Sequence, residues 1–285
     1  MKLITLDFNN YENIIFCGDV HGLDNLKKMF TYNCKDIKDS LIIICGDIGL
    51  GFYSPVIEKN IIKDCNEILK LNNNHAILFR GNHDNPNLFK NKSKYNLKYI
   101  TIIRDYTVLK TKKYNILCIG GGISIDRTNR IPNKSYWNKE IVKNLTDNLK
   151  KEIIEYDHID IIATHNAPTF IPPVNKSINE QGDMVETWSF YDKTLKQDVW
   201  NDRQTLNKFY DFIIKHHNIQ YWFYGHFHNS YYTEYNNIKF IGLDMFYNIM
   251  KTVRYQESKK LIKYGPDLYD LNDSEKYSNI KEIYD

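Results

Sequence analysis

The stretch Leu41-Ile-Ile-Ile-Cys-Gly-Asp-Ile-Gly49 decides the fold class. Five apolar residues in a row, mostly β-branched, are too uniform for a strand with one wet face. They predict a strand buried on both sides, as in a parallel sheet covered by helices. The run ends in a glycine followed by a carboxylate. The same order recurs on either side of it. Upstream, Ile14-Ile-Phe-Cys17 leads into Gly18-Asp-Val-His-Gly22; downstream, Ala76-Ile-Leu-Phe79 leads into Arg80-Gly-Asn-His-Asp84. Helical patterns lie between, from about Leu23 to Tyr32 and from about Val56 to Leu71. This repetition predicts an α/β fold, in which sites form beyond the carboxyl ends of the strands.

Further along, the segments Ile100 to Leu109 and Tyr114 to Ile119 suggest a β-meander or hairpin. A helix is expected from about Trp137 to Tyr156, then a buried strand over Ile159 to Ala163 that ends in Thr164-His165. Residues Asn166 to Asp198 contain Pro168, Pro172 and Pro173 and show little periodicity, so they are expected to form a lid or substrate loop. A helix near Asp202 to His217 precedes Tyr221-Trp-Phe-Tyr224, which runs into Gly225-His-Phe-His228. Tyr231 to Tyr235 and Ile238 to Leu243 form a hairpin around Asn236-Asn237. The expectation is one domain over 1–255, with insertions around 123–150 and 166–200, and a polar tail over 256–285.

The bulk properties exclude more than they identify. The 285 residues are 42% hydrophobic and 26% charged, with a net charge of +3, so they suit a soluble globular chain and give no electrostatic case for nucleic acid. Five cysteines without a CxxC pair, three of them inside apolar runs, argue for a reducing compartment rather than a disulfide scaffold. The N-terminal residues lack a signal-peptide core, and no apolar run is long enough to span a bilayer, so a cytoplasmic protein without membrane contact is expected. Nothing in the sequence specifies an oligomer.

The strand ends together offer Asp19, His21, Asp47, Asn82, His83, His165, His226 and His228. An HxH pair such as His226 and His228 proves little alone. The whole set is carboxylate, imidazole and amide with no thiolate, which suits Mn, Fe, Co, Ni or Zn in a catalytic site. Seven of the eight suffice for two metals if one carboxylate bridges, and Asp47 is central in the strand order. Two such ions about 3.5–4 Å apart clamp the oxygens of a phosphoryl displacement. His83 is then left over to act as an acid.

Asp19-x-His21, Gly46-Asp47, Gly81-Asn-His-Asp84, Thr164-His165 and Gly225-His-x-His228 resemble the five ordered motifs of the calcineurin-like metallophosphoesterases. The resemblance implies a four-layer αββα sandwich. It implies that Asp19, His21, Asp47 and His228 hold a first metal, that Asp47 bridges, and that Asn82, His165 and His226 complete a second. It further implies hydrolysis of phosphate mono- or diesters by a metal-bridging hydroxide, with His83 as general acid and no covalent intermediate. Two divalent ions are the expected cofactors, Mn the first to supply in vitro. A small phosphoester or a nucleotide is the expected substrate. Asp84 is grouped with His83 as a catalytic candidate but, its side chain diverging from that ring, is expected to act behind the metal ligands, and Arg127 or Arg130 to hold the substrate. Trp137 and Glu140 read as core and helix-start residues.

The second motif, Gly46-Asp-Ile-Gly-Leu-Gly51, lacks the G-D-x-x-D-R-G of protein phosphatases, which weighs against that activity. It is closer to a bacterial and phage group with G-D-[FI]-G. That group also carries a G-G-x-x-S-x-D-R and a W-x-x-E, here Gly121 to Arg127 and Trp137 to Glu140. The rival activities are those of a nuclease or a cyclic-nucleotide phosphodiesterase. A scaffold that has kept the metal ligands without catalysis is the remaining alternative.

Overall fold

The computed structural model describes residues 2–90, 92–171, 180–245 and 268–270. In chain order the strands are β1 (Ile4–Asp7), β2 (Asn13–Cys17), β3 (Ser40–Ile44), β4 (His75–Leu78), β5 (Ile100–Ile102), β6 (Thr107–Lys110), β7 (Asn115–Ile119), β8 (Ile161–Thr164), β9 (Tyr221–Tyr224), β10 (Tyr231–Tyr235), β11 (Ile238–Gly242) and β12 (Leu268–Asp270). The helices are α1 (Leu23–Lys28), α2 (Pro55–Leu71), α3 (Asp147–Ile154), α4 (Glu180–Ser189) and α5 (Leu195–Ile213). Among the described residues the strands form two sheets, ordered β12-β2-β3-β4-β5 and β1-β6-β7-β8-β9-β11-β10.

Three apolar cores make these sheets the middle of a four-layer αββα sandwich. Ile42 and Ile44 of β3 pack with Leu23, Leu26, Ile62 and Leu69 of α1 and α2. Their neighbours Leu41 and Ile43 point the other way and meet Ile116, Ile161 and Phe223 of the larger sheet. Phe16 stacks on Phe223 across that interface, ring centroids 3.9 Å apart and planes within 5°. Beyond the larger sheet, Trp222 and Phe240 pack with Leu149 and Ile153 of α3 and Leu206, Phe209 and Ile213 of α5. The even-odd alternation of a strand thus serves two cores, which is why the sequence shows no polar face. No helix among the described residues is long and apolar enough to cross a membrane.

Register then aligns the strand ends. Cys17 pairs with Ile44 and Ile44 with Leu78, so β2, β3 and β4 finish level. Thr164 pairs with Tyr224 in the other sheet. The loops that follow these five strands therefore open at one end of the sandwich.

Four expectations change. The helix expected from Trp137 begins only at Asp147, capped by the Thr146 side chain. The preceding residues cannot coil because their carbonyls are engaged elsewhere: Arg80 donates to the carbonyls of Lys139, Glu140 and Ile141. The segment Ile100 to Leu109 is not one arm of a meander. Ile100–Ile102 belongs to the smaller sheet, while Thr107–Lys110 forms a hairpin with β7 in the larger one. The stretch Asn166 to Asp198 contains α4 and the start of α5 rather than a continuous loop; residues 172–179, with two of its three prolines, lie outside the described residues. The helix expected near Asp202 to His217 runs instead over Leu195–Ile213. Of the tail, only Leu268–Asp270 is described, and it pairs antiparallel with β2.

Arg80 is the hub of the crossing between the sheets. It is fully buried, with Nε and Nη2 on the Asp105 carboxylate at 3.0–3.1 Å and Nη1 donating to the Glu140 carbonyl at 2.5 Å. Lys143 adds a second cation 2.6 Å from Asp105. Burial works against the Asp105 charge, but Arg80 and Lys143 outweigh it and hold the carboxyl below its usual range. Asp105→Ala leaves a buried guanidinium without its carboxylate, so a loss of ~3–5 kcal/mol is expected. That corresponds to a melting point about 10 °C lower, readable by thermal denaturation; an unchanged midpoint would refute the hub.

Candidate metal centre

Each candidate ligand sits on the turn that follows a strand, and four of these ligands hold an unusual backbone. His21, Asp47, His226 and His228 have positive φ, between 50° and 70°. For non-glycine residues this left-handed region costs roughly 1–3 kcal/mol each and persists only where the surroundings enforce it. The neighbouring glycines show what enforces it. A Cβ on Gly46 would run into His165 Nδ1, and one on Gly225 would run into Asp19 Oδ1. Each glycine lets a ligand from another strand close on its own turn.

The first group is Asp19, His21, Asp47 and His228, with ligand atoms all within 4.8 Å of one another. His21 Nε2 and His228 Nε2 face each other at 2.8 Å, and His228 Nε2 is 3.0 Å from Asp19 Oδ2. Asp19 is fully buried. Its Oδ1 accepts from the His226 backbone N–H at 2.8 Å, while Oδ2 is among the buried atoms with no well-formed hydrogen bond. A buried carboxylate oxygen so placed, with two imidazole nitrogens turned to it, calls for a cation. Burial disfavours charge on His21, yet the Asp19 contact and the Asp47 carboxylate overcome it and raise the ring to about 9. Asp19 itself is held well below its usual range by His165, His21 and His228, against the effect of burial. This is a site where protons stand where metal would displace them.

The second group forms around His165. Its Nδ1 donates to the Cys45 carbonyl at 2.8 Å, which orients the ring and turns Nε2 inward. Nε2 faces Asn82 Oδ1 at 2.9 Å and Asp47 Oδ1 at 3.3 Å. A nitrogen and two oxygens thus converge on one point. The His226 ring lies 4.9 Å from that of His165, centroid to centroid. Burial and the neighbouring His165 depress His226 to about 3, keeping it neutral as a ligand must be. Gly122 faces this group: a Cβ there would lie 3.2–3.4 Å from His165, His226 and Asn82. Asp47 joins the two groups, with Oδ2 3.7 Å from His21 Nε2 and Oδ1 toward His165. The donor set, and an Asp19 oxygen met only by imidazole nitrogens, fit divalent metal.

A family model for calcineurin-like phosphoesterases matches residues 12–230. The chain belongs to that family. It is thus a metal-dependent phosphoester hydrolase, with at least one candidate metal site assembled in its fold. Among solved structures, a phosphopantetheinyl hydrolase from Mycobacterium tuberculosis is similar at 11% identity, covering 93% of this chain and 97% of that one with a TM-score of 0.42. A putative 5'-nucleotidase from Staphylococcus aureus is similar at 13% identity and a TM-score of 0.39, covering 82% of this chain and 49% of that one. No curated protein matches the sequence.

The phosphoesterase site has a wall in which only Phe52 is not singled out by the sequence. The His83 ring lies edge-on to that of His21, centroids 4.6 Å apart, and its Nε2 is 2.6 Å from an Arg130 guanidinium nitrogen. Arg130 is itself paired with Asp126 at 2.7 Å. Burial and then Arg130 keep His83 neutral, to about 4, although Asp47 pulls the other way. Phe52 lies nearly parallel to His83, centroids 6.4 Å apart, and against Trp137.

Two further candidates are held by the fold itself. Asp84 is buried. Its oxygens accept from the backbone of Ile48, Leu50 and Gly81 at 2.8–3.1 Å, which folds the turn carrying Asp47. Arg127 is taken up by Asp192 at 2.5 Å and Asp198 at 2.6 Å, tying its loop to the start of α5. Arg130 alone of the two reaches the centre. Of the other histidines, His75 bonds Thr101, His217 bonds the Ile153 carbonyl and His158 pairs with Asp157, all remote in role from the metals.

Proposed function

We propose that this phosphoesterase is dinuclear and hydrolyses small phosphate mono- or diesters, nucleotides included, in the cytoplasm. The observation that carries the proposal is the pair of ligand groups that share Asp47, each with its nitrogen and oxygen atoms gathered about a common point. Asp19, His21, Asp47 and His228 would hold one ion; Asp47, Asn82, His165 and His226 the other. Bound divalent ions, manganese the first to try, supply Lewis acidity and a water of lowered pKa. The chain's own residues do the rest. Arg130 stands where it can take a phosphoryl oxygen in a charge-assisted bond. An anionic group drawn onto Arg130 would offset the guanidinium charge that keeps His83 neutral. His83 is then placed to carry a proton to the leaving oxygen. The buried thiols of all five cysteines support a reducing compartment. Residues 1–255 are proposed as the catalytic domain and 256–285 as a tail.

The test is turnover of p-nitrophenyl phosphate and its bis-ester by Mn2+-loaded protein. A metal-replete, folded protein inert on mono- and diesters, cyclic nucleotides and single-stranded nucleic acid would sink the proposal. A second measurement needs no substrate. A metal that binds the folded chain and not the unfolded one stabilises the fold, so Mn2+ at about 1,000 times its dissociation constant should stabilise it by ~4 kcal/mol. The melting point should then rise by about 10 °C and fall back on chelation; no shift at saturating Mn2+ would count against a bound metal.

A further inference from the structure

Two motifs of the sequence, Gly121-Gly-Ile-Ser124 and Trp137-Asn-Lys-Glu140, have no part in the chemistry so far. The structure brings their polar residues together behind the second ligand group. Glu140 is fully buried, and its two oxygens face one residue: Oε1 accepts from the Ser124 backbone N–H at 2.7 Å and Oε2 from the Ser124 hydroxyl at 2.9 Å. The Ser124 oxygen in turn accepts from Asn82 Nδ2 at 3.1 Å. Asn82 then presents Oδ1 to His165 Nε2 at 2.9 Å.

The direction of this chain matters because an amide side chain has two ends of nearly equal shape. Flipped, Asn82 would turn its NH2 toward His165 Nε2 and its oxygen to Ser124. That arrangement removes an oxygen ligand. It requires the Ser124 proton to point at Asn82. A hydroxyl has one proton, and an ionised carboxylate is an acceptor only. With that proton held by Glu140, Ser124 offers Asn82 nothing but lone pairs.

We propose that Ser124 and Glu140 are positioning residues for the second metal: Glu140 binds the Ser124 proton, and Ser124 thereby locks the Asn82 amide with its oxygen toward the ion. Arg80 makes the lock rigid, since it grips the Glu140 carbonyl and the adjoining turn. Burial lifts the Glu140 carboxyl to about 8 against the pull of the two Ser124 bonds. Cations at the site would act in the same direction as Ser124 and favour the charged form. The inference rests on the dinuclear reading given above.

The experiment is a Mn2+ titration by calorimetry, with metal counted after dialysis, on the full chain and three variants. Ser124→Val and Ser124→Thr have the same shape and differ only in the hydroxyl. Ser124→Val is expected to weaken one of the two ions by about 10- to 100-fold and leave the other unchanged. Ser124→Thr is expected to bind both like the parent. Glu140→Gln, whose NH2 donates to Ser124 and frees the hydroxyl proton, should behave like Ser124→Val; it remains informative where the valine variant folds poorly. Three results overturn the proposal. One is two-ion binding unaltered in both Ser124→Val and Glu140→Gln. Another is equal loss in Ser124→Thr and Ser124→Val, which would mean packing alone. The third is equal weakening of both ions. A parent protein that binds fewer than two ions overturns the dinuclear reading itself, and this inference with it.

Discussion

Asp47→Asn is expected to leave the protein folded but to reduce it to one bound Mn2+ or none, with turnover lower by at least ~10³-fold, about 4 kcal/mol of transition-state stabilisation. The choice of asparagine is deliberate. Asp47 has φ 52°, and asparagine tolerates that left-handed backbone better than other residues. The amide oxygen of the variant can still accept from the His83 N–H, as Asp47 Oδ1 does at 2.7 Å. The other end of the side chain becomes an NH2, a donor aimed at the group of His21 and His228, so it can neither bridge nor neutralise. The measurement pairs metal content after dialysis with turnover and a thermal midpoint. Two tightly bound ions in Asp47→Asn would show that Asp47 does not bridge.

His83→Ala is the second large effect, and it should part chemistry from metal binding. The proposed role is proton delivery, which contributes about 10²–10⁴-fold. The loss should therefore depend on the leaving group. An alkyl phosphate needs its oxygen protonated and should lose the full factor; p-nitrophenolate leaves readily and should lose much less. Both ions should stay, since the His83 ring is not placed among the ligand atoms of either group. Equal losses on the two substrates would reject the acid role and leave His83 as a mere neighbour of Arg130, 2.6 Å away.

Much of this centre can be read from the sequence because its parts are local. Gly46-Asp47 and Gly225-His-Phe-His228 each follow an apolar run, and an apolar run of that kind has few alternatives to a buried strand. The glycine before the ligand is legible for the same reason: a side chain there would meet the ligand of another strand, as on Gly46 with His165. What the sequence hides is held together over long separations. Arg80 and Glu140 lie 60 residues apart, and Arg127 and Asp192 lie 65 apart. No periodicity links such pairs. Glu140 looked like the start of a helix because nothing local shows that its carbonyl belongs to Arg80. Arg127 looked like a phosphate ligand because nothing local shows two aspartates closing on it. The start of α5 was missed because its first turn is polar, Lys196-Gln-Asp198, and only Leu195 marks its buried side.

By itself the sequence determined the fold class, the strand ends that carry the site and the ligand types available there, because strand burial and ligand chemistry are properties of short segments. The tertiary structure decided how those candidate ligands gather into two clusters, which oxygen of Asp47 faces which cluster, and which of the two arginines lies beside His83. Those outcomes depend on the register of two sheets and on which proton donors reach which lone pairs. Both are fixed only when segments far apart in the chain are pressed together.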